Sequence, residues 1–422
     1  MPESKIVILG AGLSGLSAAA HLKTEYEIFE KEKSIGGLCR SRKLRGFTFD
    51  IAGHILHFKE KKAKDFIMGL LGDTLRRQKR NSWIWSHGSF IPYPFQANFQ
   101  RLAQDIAMEC SRGLAQAIKN KKKKSGSNGL CFRSWILATF GEGIARHFML
   151  PYNEKFWKFS LEQLNHEWAS EWIPLQDKGY NETFWYPRSG GIQTLANALA
   201  RQGRRVRTRC EAVRIDLRKK EVLFSNGIRY RFNKVISTIP LPEMLRLLTP
   251  LPDRVRKALS ELRYTSLFNV NLGLSTKLKS TKHWIYFPQK DISFYRLGIS
   301  TNFSQSMAPP GCSSIYFEAS YTKDNPIDKK NIINAIYGDC KKIGFPIREE
   351  DVKVVDSNDI KYGYCVYDKK RDAAVNIIQG YLNKHNVFSI GRYGAWRYAS
   401  MENVMSEARD LVTGSSGFCK GL

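Results

Sequence analysis

Arg296 stands in the run Phe294-Tyr-Arg-Leu-Gly-Ile299, an aromatic strand pattern in which an unpaired guanidinium is costly to bury. It therefore needs an anion, either a protein carboxylate or a ligand phosphate, and the planar fork of arginine suits bidentate contact with either. Two other stretches carry groups that can read a ligand. Pro92 and Pro94 fix an extended turn over 89–98 that aims Tyr93 and Gln96 outward. Leu150-Pro-Tyr-Asn-Glu-Lys-Phe-Trp157 breaks a helix and presents an amide, Asn153, and an indole, Trp157, tools for bonding and stacking a base. Either stretch reads equally well as packing. His54 follows Gly53 at the end of an alternating strand, where it either touches a flat cofactor ring or is a satisfied structural histidine; the glycine turns around it favour the first.

The elements that must position these groups begin at the amino terminus. Lys5-Ile-Val-Ile-Leu-Gly10-Ala-Gly12-Leu-Ser-Gly15 reads as a buried strand, a GxGxxG turn and the start of an alanine-rich helix. Gly10 permits the bend, Gly12 lets backbone approach a pyrophosphate, and Gly15 lets helix pack on strand. Glu30 closes a second strand at the distance where an acid holds a ribose hydroxyl. Ser34-Ile-Gly36-Gly37-Leu38-Cys-Arg40-Ser41 makes a second glycine turn with an arginine suited to a phosphate or a ring edge. From Glu60 to about Trp185 the pattern turns helical, with Ile136, Phe140, Ile144 and Phe148 on one apolar face. Strands are expected over 206–215 and 227–239, and several alternating runs from Tyr264 to about Ser320 predict a sheet. Asn386 to Tyr398 reads as a strand ending in Gly391 and Arg392, with a helix from about Met401.

A chain of 422 residues, 42% hydrophobic, buries a large core and holds two or three interleaved domains. No apolar run is long enough to span a bilayer, and the first residues enter a strand with no signal peptide ahead of it. Eight cysteines without a CxxC pair suggest neither a zinc site nor a disulfide framework, so no metal and a reducing, cytoplasmic setting are expected. The charge of +28 leaves three partner classes: nucleic acid, an anionic membrane surface, or an acidic substrate. No nucleic-acid module accompanies it, which excludes the first; at most a peripheral membrane contact stays open. The run Lys119 to Lys124, with the polar residues to Gly129, reads as a solvated loop.

The motifs GxGxSGLxxAxxL, GGLxRS and GFxFDxxGH together resemble the FAD-dependent superfamily of amine oxidases, protoporphyrinogen oxidase and UDP-galactopyranose mutase. PYPFQxN, PYNxKxW, FWYPRSGG, WxYFP with FYR, and GRxGxWRY then follow the order seen in the mutases, especially the eukaryotic-type ones. The resemblance implies an α/β fold: a Rossmann-like FAD domain (1–60, 186–255 and 385–422), a helical insertion (61–185) and a twisted antiparallel sheet domain (256–384). It places FAD on Gly10, Gly12, Ser14, Gly15, Glu30, Gly37, Leu38, Arg40, Ser41, Gly53, His54, Val213, Gly391 and Met401. A UDP-sugar would lie on Tyr93, Gln96, Asn153, Trp157, Tyr286, Arg296, Tyr364, Arg392 and Tyr398, with His54, Arg296 and Arg392 as the catalytic set. The activity implied is interconversion of UDP-galactopyranose and UDP-galactofuranose, with N5 of reduced FAD as nucleophile at the anomeric carbon and no net electron flow. An external reductant such as NAD(P)H would keep the flavin reduced. The alternatives are an oxidoreductase of the amine oxidase or protoporphyrinogen oxidase kind and a mutase for another nucleotide sugar. Two departures from the mutase pattern bear on the choice: Trp172 stands where WxxER has arginine, and Ala399 to Asn403 replaces an expected acid or Asn-Gln pair.

Overall fold

A computed structural model describes residues 3–123, 129–175, 182–204, 206–414 and 418. Two seven-stranded sheets organise it. The first runs in the order Leu248–Thr249, Ala212–Asp216, Glu221–Phe224, Arg229–Ser237, Glu3–Leu9 and Tyr26–Phe29, with Val387–Ser389 also paired to Arg229–Ser237. Glu3–Leu9 is parallel to both of its neighbours, and Ile6, Val7, Ile8 and Leu9 are all buried. A continuous apolar strand of this kind needs cover on both faces. Helices Leu13–His21, Gln193–Ala200 and Met401–Thr413 share one core on one side, while Leu241, Met244 and Leu245 belong to the core on the other.

The second sheet runs Val352–Cys365, Tyr264–Leu274, Ser313–Tyr321, Arg296–Ile299, Trp284–Tyr286, Ser82–Ser86 and Ser89–Pro92. It is antiparallel except where Ser82–Ser86 joins Trp284–Tyr286. The hairpin 82–92 therefore corrects the reading of 61–185 as helical: Ile91 pairs with Ile84 within it, and Trp83 and Ile84 pair with a segment two hundred residues away. Leu75–Lys79 likewise pairs with Thr183–Pro187. The strand expected over 206–215 is confined to Ala212–Asp216, and the sheet continues past residue 320 into Val352–Cys365.

Helices Gln104–Lys123, Phe132–Ile144 and Leu150–Trp157 lie in the insertion, and Ile136, Phe140, Ile144 and Phe148 are all buried as their spacing predicts. Gly141, at φ +76°, breaks the middle helix where the chain crosses Gly113; a Cβ there would meet the Gly113 carbonyl oxygen at 2.1 Å. Lys119 to Lys123 end the helix Gln104–Lys123 rather than forming a loop, and the rest of that run lies outside the described residues. No described helix is long and apolar enough to cross a membrane. Among the described residues no cluster of three His, Cys, Asp or Glu is placed to hold a metal ion, and the seven described cysteines are unpaired.

Candidate active site

The amino-terminal turn has the shape a dinucleotide requires. Gly10 takes φ +98°, and a Cβ on Gly15 would meet the Gly10 carbonyl oxygen at 2.0 Å, so both positions demand glycine. Gly12 differs: the nearest atom to a Cβ there is the Cα of Gly37 at 3.9 Å, which leaves an open cradle between the two glycine turns at the start of helix Leu13–His21. Backbone N–H groups and the positive helix end face that cradle, as a pyrophosphate needs. Glu30 is buried and accepts hydrogen bonds from the N–H groups of Ala11 (2.8 Å) and Glu32 (3.0 Å). Each carboxylate oxygen keeps a lone pair for a ribose hydroxyl. Ser14 touches Gly391, where a Cβ would lie 2.3 Å from the serine Oγ. Met401 opens its helix and accepts from the Cys39 thiol at 3.5 Å, and Leu38 packs beside Ile51. The residues present fit FAD.

Two expected cofactor contacts bind other protein groups. Arg40 donates to the Gly37 carbonyl (2.7 Å) and pairs with Glu32 (3.5 Å). Ser41 donates to Asp50 (2.6 Å) and accepts from Gln193 N–H (3.1 Å), so its hydroxyl ties two chain segments together. Val213 is 43% exposed, while its neighbour Ala212 is buried. The chain that runs beside Glu30 comes earlier, at 207–210, where Cys210 N–H donates to the Glu30 carbonyl at 2.9 Å. That segment also lines a cavity of about 660 Å³ with Phe29, Arg207 and Asn226. The periodicity of the strand could not show that pairing to Glu30 precedes the regular ladder.

Downstream of the second glycine turn, two arginines and a set of phenols converge. Arg296 is opposite Glu318 across two antiparallel strands; its Nε donates to the carboxylate at 2.6 Å, and its terminal nitrogen contacts the same oxygen. Burial works against the Arg296 charge, but Glu318, fully buried, holds it firmly protonated. The anion that Arg296 requires is thus a protein carboxylate. Glu318 also accepts from the Tyr295 hydroxyl (2.9 Å) and from the Gly53 N–H (3.2 Å), linking the arginine to the His54 segment. Burial pushes the His54 imidazole down to about 4, against its hydrogen bond to the Ala52 carbonyl, so the ring is neutral near pH 7.

Arg392 approaches the same space with no carboxylate partner among the described residues. Its guanidinium lies 4.4 Å from the Tyr398 ring centroid and 5.3 Å from that of Tyr364, and donates to the carbonyls of Ala399 (2.8 Å) and Gly363 (3.4 Å). Tyr364 and Tyr398 stack at 5.7 Å, and the Tyr364 hydroxyl is 3.3 Å from that of Tyr295. Sequence reasoning missed Glu318, Tyr295, Tyr152 and Arg80. An acid in the apolar run 315–318 was the available signal for the first. Arg80 lies 4.6 Å from the Tyr93 ring centroid and 3.4 Å from the Tyr286 hydroxyl, while Tyr152 meets Tyr286 edge-on at 5.5 Å.

Asn153 and Trp157, expected to hold the base, and Gln96, expected near the sugar diphosphate, all meet protein groups. Asn153 donates to the Met149 carbonyl of its own helix at 2.8 Å, and Gln96 donates to the Pro174 carbonyl. Trp157 is 1% exposed, packed against Trp168, Phe156 and Tyr364, and its indole N–H has no hydrogen-bond partner among the described residues. Trp172 stands edge-on to Tyr398 at 4.5 Å. The segment carrying Trp168, Trp172 and Pro174 therefore covers this end of the site. Asn403, at the second departure, makes a capping box with Ser400, and Glu402 accepts from the N–H groups of Lys59 and Glu60 at 2.8 Å.

The model of the flavin containing amine oxidoreductase family matches residues 13–366. The chain belongs to that family. Its fold follows a reduced UDP-galactopyranose mutase with a TM-score of 0.90 at 27% identity, over 97% of this chain and 93% of that one. The CLA-producing fatty acid isomerase of P. acnes shares the fold, at TM-score 0.71 and 16% identity over 97% and 98% of the two chains. A 4,4'-diapophytoene desaturase of Staphylococcus aureus (strain COL) is 44% identical over 55 residues, 12% of this chain and 11% of that enzyme's length. The family and the mutase likeness both imply a flavin cofactor, for which the glycine cradle is shaped.

Proposed function

We propose that this flavoprotein is a mutase of the UDP-galactopyranose mutase kind, interconverting the pyranose and furanose forms of a nucleoside-diphosphate sugar, with UDP-galactose the first candidate. The observation that carries the reading is the convergence of Arg392 and Arg296 with Tyr286, Tyr364 and Tyr398 beside the Gly53-His54 segment, in a chain that follows a mutase over nearly its whole length. Reduced FAD, when bound, supplies a nucleophile at the anomeric carbon.

The protein's own groups do the rest. Arg392, with no carboxylate partner among the described residues, would take a leaving diphosphate, whereas Arg296 is already matched by Glu318. Tyr398 and Tyr364 flank that guanidinium, hold its plane, and offer hydroxyls to phosphate oxygens. Neutral His54, fixed through Ala52, would keep a positive charge away from a flavin bound beside Gly53. Glu318 immobilises Arg296 and, by accepting from its hydroxyl, orients the neighbouring Tyr295. The second reading, an oxidoreductase, is favoured by the cover of Trp168 and Trp172 over the expected base site.

The test is to incubate the flavin-loaded protein with UDP-galactofuranose, with and without dithionite, and separate the products. Formation of UDP-galactopyranose only under reduction is expected. No product from UDP-galactofuranose or from other nucleotide sugars under reduction would overturn the proposal.

A further inference from the structure

Tyr316 is buried at 5% exposure in the strand Ser313–Tyr321, two residues before Glu318 and therefore on the same face of the sheet. Its cross-strand partner is Gly298, just as the partner of Glu318 is Arg296. The phenol leans over that glycine: a Cβ on Gly298 would lie 2.1 Å from the Tyr316 ring. On the other side the hydroxyl reaches the backbone of Gly53, where a Cβ would lie 2.3 Å from the Tyr316 Oη. Two glycines from distant parts of the chain thus make the slot in which this side chain fits. Tyr, Gly and Gly together place a hydroxyl at the segment that ends in His54.

That hydroxyl is unusual among its neighbours. Tyr295 bonds Glu318 and Tyr364, Tyr286 accepts from Trp284, and Tyr186 donates to Asp50. The Tyr316 Oη has no hydrogen-bond partner among the described residues, yet it sits close enough to Arg296, Glu318, Tyr286 and Tyr364 to feel their charge. A phenol oxygen with no protein partner, at the mouth of a glycine slot, is open to a hydrogen bond with a ligand.

Resting on the flavin reading above, we propose that Tyr316 donates a hydrogen bond to the flavin ring at its Gly53 end and thereby stabilises the reduced, anionic form. Burial pushes the phenol well above its ordinary range, so the proton stays on oxygen at any working pH and the group acts as a donor. Strand register alone puts it there, and no motif of the first or second glycine turn includes it.

The test is the midpoint potential and visible spectrum of the flavin-loaded wild type and Tyr316→Phe, which removes one oxygen and keeps the ring. A lost hydrogen bond to an anion should shift the oxidised–reduced equilibrium about tenfold toward oxidised, a fall of ~30 mV for a two-electron couple. A changed flavin band should accompany it. Gly298→Ala, which displaces the Tyr316 ring while leaving its hydroxyl in the chain, is the second variant and should lower the potential in the same direction. A potential and spectrum equal to wild type in a flavin-loaded Tyr316→Phe overturns this proposal and leaves the mutase reading standing. A wild type that holds no flavin overturns both.

Discussion

Arg296 and Arg392 are the same residue facing the same space, and their surroundings are opposite. Arg296 lies on a sheet strand, directly across from Glu318, and its charge is neutralised before any ligand arrives. Arg392 follows a glycine at the end of a short strand, held by two carbonyls and two tyrosine rings. A matched buried pair fixes geometry, whereas a cation with only neutral neighbours is a receptor for an anion. On the proposed reading, one arginine builds the site and the other uses it.

The largest expected effect breaks the first half of that contrast. Glu318→Ala leaves the Arg296 guanidinium buried and unpaired, which should cost about 3–5 kcal/mol of stability in urea unfolding, as loss of one partner of a buried pair does. Arg296→Ala should destabilise for the mirror reason. Arg392→Ala should leave unfolding nearly unchanged but lower kcat/KM by at least about 2 kcal/mol, the scale of a charged hydrogen bond. Equal stability losses in Arg296→Ala and Arg392→Ala would erase the distinction between them.

Acid tests the fold around both arginines, because three histidines are buried neutral. Burial pushes His54, His57 and His283 each down to about 4. A histidine with a depressed folded value binds protons more readily when unfolded, so stability should fall as pH drops from about 6.5 toward about 4. Asp50, pushed up to about 6 by burial, acts in the opposite sense but is one group against three. Melting temperatures at pH 7.5 and pH 5 check the sign; a higher value at pH 5 would contradict it.

The smallest effect concerns Trp172. Trp172→Arg restores a cation near Tyr398 and should tighten UDP binding by about 1 kcal/mol at low salt, as a part-exposed charge does. Calorimetric titration with UDP reads this directly, and unchanged affinity would show that the position does not face the diphosphate.

Legibility in the sequence followed how local each constraint is. The turn at Gly10 and Gly15 was readable because a positive φ and a backbone contact 2.0 Å away each demand glycine within one short stretch. The apolar face of Ile136 to Phe148 was readable because helical spacing repeats locally. Arg296 was readable as needing an anion, but its partner was not, since Glu318 meets it only through strand register. The same holds for the 82–92 hairpin, which adds to a strand beginning at Trp284. The pairing of 207–210 beside Glu30 was not legible either, because it precedes the regular strand Ala212–Asp216.

The central claim is that the flavin acts without net electron transfer, and counting electrons tests it most directly. Flavin-loaded protein, reduced anaerobically with one equivalent of dithionite and then given UDP-galactofuranose, should form many equivalents of UDP-galactopyranose with the flavin still reduced and no further reductant consumed. Flavin reoxidised once for each molecule converted would contradict the account and make the protein an oxidoreductase.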